Sequence, residues 1–471
     1  MRILGERMSE KQISRRKYLK YAAAGVVAIA VGGAGYYYYY SKPTGTTRPI
    51  RIGLLAPFSQ AEGPDMEKAS KLAIEEINSA GGVYVKEWGV KAPLELVIAD
   101  SENASPEKGV TAVTRAIIEN KVDLLIGGMS SAEVVASQVP AIENRVPFII
   151  TGASTHLVTR RGPQGNYGGL PQGSPQRIED AEGMSYMFHY CTTTFHYSKS
   201  IVHFFGEYLK PIVAKDRNFK LAIIYRDDPY GVGVLNASKS YIKQDNLPID
   251  IVAEKKYPPN TTDFHAELTA IKAVKPDGVF VVDFTVGTAQ VYIQGQRDVG
   301  LNSMYMAVEV CEQPEFYSLL GKWGDHQLLE SKFGPYAGPP FYLTLMNTYI
   351  PKFKQKYGVA PGMMGADTYD AFYVAKDAIE RAGTLDKAKV RDALESTKMK
   401  NMLIVTQTGY IEFGKTPDTY HEIAPITFME QLIWRDELSE TRPLIVWPEQ
   451  VPGIGVIKQK DFELPPNYVS G

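Results

Sequence analysis

The feature that most constrains this chain is a change of hydrophobic period that recurs along it. From Ile50 onward, short apolar runs alternate with longer stretches whose apolar residues recur every three or four positions. The first kind reads as a strand buried on both faces, the second as an amphipathic helix. Ile50–Ala56 is such a strand. Met66, Ala69, Leu72, Ala73, Ile77 and Ala80 mark the helix after it, which Gly81 and Gly82 stop. Strands follow at Leu94–Ala99, Val122–Ile126 and Phe148–Thr151, with helices at Pro106–Asn120 and Ala132–Asn144 between them.

A stretch rich in Gly, Pro and Gln, Arg160–Ala181, then breaks the pattern and reads as a long loop. A second series follows. Its strands are Leu221–Tyr225, Ile249–Ala253, Val279–Asp283 and Met304–Val308, and its helices lie near Gly231–Gln244, Asp263–Lys275 and Thr288–Gly300. A later helix spans Thr368–Ala382, and the tail carries strands at Ile426–Trp434 and Leu444–Trp447. Two such series predict an α/β protein with two doubly wound parallel sheets. Ligands of such sheets bind beyond the carboxyl ends of the strands. Two sheets facing each other by those ends would enclose a cleft.

Charge separates the first residues from the rest. Residues 1–20 hold seven Lys or Arg and two Glu, a net of +5, whereas the whole chain is −2, which leaves −7 for the remainder. An acidic body lacks the basic face that nucleic-acid phosphates need. The basic segment Ser14–Lys20 (SRRKYLK) precedes an uncharged run, Tyr21–Tyr40. Basic residues before an apolar run are the pattern of an export signal. The arginine pair Arg15-Arg16 resembles the twin-arginine motif, with Tyr18 where Phe is more usual, and so implies the twin-arginine translocase as a partner. As a helix the run would reach about 30 Å, enough to span a bilayer. The five tyrosines Tyr36–Tyr40 suit a membrane interface. Residues 1–40 therefore stand as a cleaved signal or a retained anchor, and 41–47 as a linker.

The two cysteines, Cys191 and Cys311, read either as one bridge or as two buried thiols, and no Cys/His cluster suggests a metal. Gly231-Val-Gly233 fails the dinucleotide fingerprint because Asn236 stands where the third Gly belongs. No Ser/His/Asp or paired-carboxylate context suggests catalysis, and no cofactor is expected.

Several segments taken in order resemble one known family. They are Arg51–Ser59 (RIGLLAPFS), Gly127–Ser131 with Pro147–Thr155, Asp228–Gly231 (DPYG), Met306–Glu309, Tyr369–Ala371 with Ala378–Ala382, and Gly409–Gly414. Together they resemble the solute-binding proteins of branched-chain amino-acid ABC importers, within the type I periplasmic-binding-protein fold. The resemblance covers roughly residues 48–435. It implies an extracytoplasmic protein that is not an enzyme, captures a small amino-acid-like solute and delivers it to an ABC permease. It also implies three crossovers between two lobes, 48–190 plus 332–425 and 191–331 plus 426–471, that close about a hinge.

A zwitterion needs donors around its carboxylate and acceptors around its ammonium. Ser130 and Ser131 open a helix after a strand, where backbone N–H groups and the helix dipole suit a carboxylate; a serine there also serves as a plain N-cap. By resemblance Ala153 offers its backbone and Thr155 its backbone and hydroxyl, with Ser154 between them. Glu309 follows a buried strand, where a carboxylate needs a partner. The resemblance makes it the holder of the ligand ammonium, and the alternative is a hinge salt bridge. Tyr230 offers a ring and hydroxyl to a ligand, or packs at a helix start. Phe284 and Thr285 fall where the family places another cleft contact. The loop Phe58–Asp65 is expected to shape the side-chain pocket. Two departures widen the ligand class to aromatic or larger solutes: the length of Arg160–Ala181 and the aromatic segment Met187–Tyr197. The alternative function is a membrane-tethered sensor ectodomain for an amide, urea or aromatic acid.

Overall fold

The computed structural model describes residues 48–335, 344–437, 439–451 and 454–469. The export signal, anchor and linker expected over residues 1–47 lie outside the described residues. Among the described residues, no helix is long and apolar enough to cross a membrane.

In chain order the first strands are β1 (Ile50–Ala56), the hairpin β2 (Val83–Val85) and β3 (Val90–Ala92), β4 (Leu94–Asp100), β5 (Leu124–Gly127), β6 (Phe148–Ile150) and β7 (Met187–His189). All but the hairpin form one parallel sheet in the order β4-β1-β5-β6-β7. Then come β8 (Phe219–Arg226), β9 (Ile249–Tyr257), β10 (Gly278–Val282), β11 (Met304–Ala307), β12 (Leu328–Ser331), β13 (Phe428–Arg435) and β14 (Glu440–Trp447). These build a second sheet, β14-β13-β12-β11-β10-β8-β9. Its strands run parallel up to β12, and β13 and β14 are added antiparallel at one edge. The reason lies in the residues. β5 and β10 are buried at every position, so helices must cover both faces, and βα crossovers do this.

The long helices fall where the periodicity puts them, at Glu62–Ser79, Pro106–Ile118, Ser131–Glu143, Pro229–Gln244 and Met363–Ala382. Met363–Ala382 starts earlier than its sequence pattern suggests and packs against Glu62–Ser79 on the first sheet. The sequence reading missed β7, β12, the hairpin and the helices Thr194–His203, Thr344–Tyr357 and Lys387–Glu395. The stretch read as the loop Arg160–Ala181 is irregular, with Asn166, Tyr167 and Gly168 at positive φ. That stretch is tied down where Arg160 Nε donates to Glu422 Oε1 at 2.7 Å. Cys191 and Cys311 are both free and buried.

Backbone geometry brings β1 and β5 together at their carboxyl ends. Gly127 has φ +111, and a Cβ there would sit 2.2 Å from the Leu55 carbonyl oxygen. Only glycine tolerates both conditions. Gly127→Ala is expected to cost about 1–3 kcal/mol, read as a lowered midpoint in urea unfolding. An unchanged midpoint would contradict this packing.

Candidate functional site

The sequence-predicted residues all lie in loops or helix starts beyond strand carboxyl ends, as the parallel sheets require. Ser130 and Ser131 follow β5, Ala153–Thr155 follow β6, Tyr230 follows β8, Phe284 and Thr285 follow β10, and Glu309 follows β11. Five of them line one small cavity: Ser131 and Ser154 from the first sheet, Tyr230, Phe284 and Glu309 from the second. The remaining wall is Met129, Gly152, Tyr197, Val308, Val310, Met363 and Met364. The cavity leaves about 20 Å³ for the centre of a water-sized sphere, room for about one water.

The other four do different work. Ser130 caps its helix, and Glu133 closes a capping box by accepting the Met129 and Ser130 N–H groups at 3.0 and 3.1 Å. The Ala153 carbonyl accepts from His189 Nε2 at 2.6 Å. Thr155 donates its N–H to Ser131 Oγ at 3.3 Å, which positions that hydroxyl. Thr285 Oγ1 donates to Glu62 Oε1 at 2.8 Å and so joins the second-sheet side to the first helix of the other side.

The polar groups facing the cavity are incompletely satisfied. Tyr230 Oη and Glu309 Oε2 are buried with no hydrogen-bond partner, on residues 4% and 5% exposed. The Tyr230 ring is held by stacking on Phe284 at 5.8 Å, and Phe284 in turn lies 4.0 Å beneath the Arg226 guanidinium. Opposite, Ser154 Oγ accepts from Tyr197 Oη at 3.1 Å and keeps its own proton free to donate. Buried polar atoms without partners are costly, and here an unpartnered acceptor and an unpartnered hydroxyl face the same cavity.

Behind Glu309 lies a group that sequence reasoning did not find. Lys332 Nζ sits 3.4 Å from Glu309 Oε1 and 2.8 Å from Asp367 Oδ2, and none of the three side chains is more than 6% exposed. Lys332 follows β12, where the chain leaves the second sheet. Burial pulls its ammonium toward neutrality, but Asp367 and Glu309 more than offset this and hold it above the ordinary lysine range. Burial pushes the Glu309 carboxyl up, and Lys332 opposes the shift. Glu312, Glu330 and Glu430 are buried nearby, and burial raises Glu430 to about 8. Burial likewise pushes the Glu312, Glu330 and Asp367 carboxyls well above the ordinary carboxylate range.

The bridge at Glu62 predicts a pH dependence. Burial lifts its carboxyl to about 7. A carboxyl whose folded pKa is raised contributes stability that is present below its unfolded value and lost as pH rises toward the folded value. Wild-type melting temperature is therefore expected to fall between about pH 4.5 and 7, and Glu62→Gln should flatten that slope. Equal slopes in wild type and variant would show that Glu62 is not buried in solution.

The fold and the interlobe geometry define a class, and comparison with known proteins agrees. A family model described as "periplasmic binding protein" matches residues 49–429. The chain belongs to the periplasmic binding protein family. Among curated relatives, "Leu/Ile/Val-binding protein homolog 7" of Brucella suis biovar 1 (strain 1330) is 23% identical over 74% of this chain and 82% of its own length. "Leu/Ile/Val-binding protein homolog 8" of Brucella abortus (strain 2308) is 24% identical over 85% and 91%. Among solved structures, the branched-chain amino acid transporter substrate-binding protein of Streptococcus pneumoniae in complex with isoleucine superposes with a TM-score of 0.66. It is 18% identical and covers 85% of this chain and 100% of that one. A solute-binding protein of an ABC transporter from Rhodopseudomonas palustris, in complex with 3,4-dihydroxybenzoic acid, gives 0.65 at 19% identity, over 84% and 96%. The family and these neighbours are solute-binding proteins rather than enzymes, and the family places the chain outside the cytoplasm.

Proposed function

We propose that this protein captures a small, ammonium-bearing, amino-acid-like solute between two lobes and presents it to an ABC permease. The lobes are 48–190 plus 332–425 and 191–331 plus 426–471. The observation that carries this reading is the pair of unpartnered buried groups, Glu309 Oε2 and Tyr230 Oη, facing Ser131 and Ser154 across one cavity. Glu309 accepts the ammonium, Tyr230 adds its hydroxyl, and the two serines with the start of helix Ser131–Glu143 receive the carboxylate. No Lys or Arg side chain lines this cavity, which favours a ligand with a positive group over a plain aromatic acid. Thr285 bonds Glu62 across the two sides, and closure of the lobes on the solute is the signal the permease reads.

The test is a thermal-shift screen of amino acids, amides, urea and aromatic acids, since a tight ligand raises the melting temperature by mass action. Stabilisation by amino acids alone supports the reading. Stabilisation by benzoates alone would replace it with an aromatic-acid carrier.

The same reading includes export through the twin-arginine pathway, supported by Ser14–Lys20, with Tyr21–Tyr40 as either a cleaved signal or a retained anchor. Mass spectrometry of the native protein separates the two: a mass that includes residues 1–40 means an anchor. A mature chain beginning near residue 35 would remove the anchor and leave the export route.

A further inference from the structure

The inner cavity is too small for a whole solute. Beside it, sharing Phe284, lies a second chamber with about 320 Å³ for the centre of a water-sized sphere. It too lies between the two sides. Ser59, Gln60 and Glu62 come from the loop and helix after β1. Arg226, Asp283 and Gln290 come from the second sheet. The two spaces are mechanically joined: Thr285 lines the outer chamber, and its hydroxyl lies within bonding distance of both Glu62 and the Val310 carbonyl of the inner one.

The charges of the outer chamber have one sign in excess. Its single cation, Arg226, is already engaged: Nε donates to Asp228 at 2.9 Å, Nη1 donates to Asp283 at 2.9 Å, and one face lies on Phe284. Glu62 and the exposed Glu315 have no cationic partner among its lining residues. An incoming carboxylate would meet Asp283, Glu62 and Glu315 around one arginine already bonded to Asp228 and Asp283. An ammonium or guanidinium would meet carboxylates and the amide oxygens of Gln60, Asn260 and Gln290. Coulomb energies at partly buried sites make that difference large.

Resting on the solute-binding reading above, we propose that the outer chamber is a second subsite, and that the natural solute is an amino acid whose side chain ends in a cation. The α-ammonium and carboxylate sit at the inner cavity, which widens from its one-water size to admit them, and the side chain passes Phe284 to place its charge between Glu62 and Glu315. This assigns Glu62 and Glu315 as specificity-determining residues.

The experiment is calorimetric titration of the full chain with L-arginine, L-lysine, L-leucine and benzoate, repeated on the double variant Glu62→Gln, Glu315→Gln. The expected result is that arginine or lysine binds at least tenfold more tightly than leucine, and that the double variant loses at least tenfold more affinity for the basic amino acids than for leucine. A single variant, Glu315→Gln, is exposed and cannot unfold the chain; it should lose part of the same preference. If leucine or benzoate binds as tightly as arginine, or the variants weaken every ligand equally, the subsite is overturned while solute capture stands. If none of the four binds, both readings fall.

Discussion

Glu309→Ala is expected to weaken capture of an amino-acid solute by about 3–5 kcal/mol, the usual cost of leaving one partner of a buried charge pair alone. That is roughly two to three and a half decades in Kd. The size follows from the geometry. Oε1 already faces Lys332 at 3.4 Å, and Oε2 has no partner and lines the cavity. Removing the carboxylate leaves the ligand ammonium desolvated against Val308, Val310 and the methionines. Calorimetry with whichever amino acid the screen identifies gives the number, and unfolding curves show whether the variant still folds. Glu309→Gln keeps the shape and should recover only a small part of the loss, because a neutral amide oxygen accepts from an ammonium more weakly than a carboxylate. Wild-type affinity in Glu309→Ala would sink the site as drawn here.

Lys332→Met is expected to produce the largest loss of stability, also about 3–5 kcal/mol near pH 8. The loss should be much smaller near pH 5. In the wild type the ammonium is charged in both folded and unfolded chains across that range, so it adds no slope. Without it, Asp367 and Glu309 are buried carboxylates with raised pKa values. Carboxyls of that kind keep the folded state stable below the unfolded value and lose it as pH rises toward the folded one. Urea unfolding at pH 5 and pH 8 separates the two cases. A loss of the same size at both would mean that Lys332 acts through packing of its stem rather than through its charge.

Much of the fold was legible because strands buried on both faces leave a signature that needs no partner to be read. β1, β5 and β10 are runs of aliphatic residues, and their burial is complete or nearly so. β7 and β12 were missed for the opposite reason. β7 ends in His189, and β12 ends in Glu330 and Ser331, all fully buried. Their polar side chains are buried where a distant segment meets them, as when His189 Nε2 bonds the Ala153 carbonyl and Glu330 Oε2 accepts from the Glu309 N–H. A lysine just after β12 likewise reads as a solvated side chain. Lys332 is buried where Asp367, from the helix Met363–Ala382, lies 2.8 Å away.

The site divides along the same line. Glu309, Tyr230, Ser131 and Ser154 could be named from the sequence, since each occupies the first positions beyond a strand end, where chain direction alone aims residues at a ligand. Tyr197 belongs to the aromatic segment read as a departure that widens the ligand class; it lines the cavity and donates to Ser154 Oγ. Ser130, Ala153 and Thr155 share their neighbours' sequence position but have hydrogen bonds directed elsewhere. The sequence by itself determined the two βα series and the loops that follow their strands, because hydrophobic period is a local property of the chain; strand order and the antiparallel addition of β13 and β14 were decided by the tertiary structure. The tertiary structure alone decided which of those loop residues face the cavity, how small that cavity is, and which charges surround it. Those depend on distances between segments hundreds of residues apart, as Thr285 and Glu62 are, 223 positions distant in sequence and 2.8 Å apart in space.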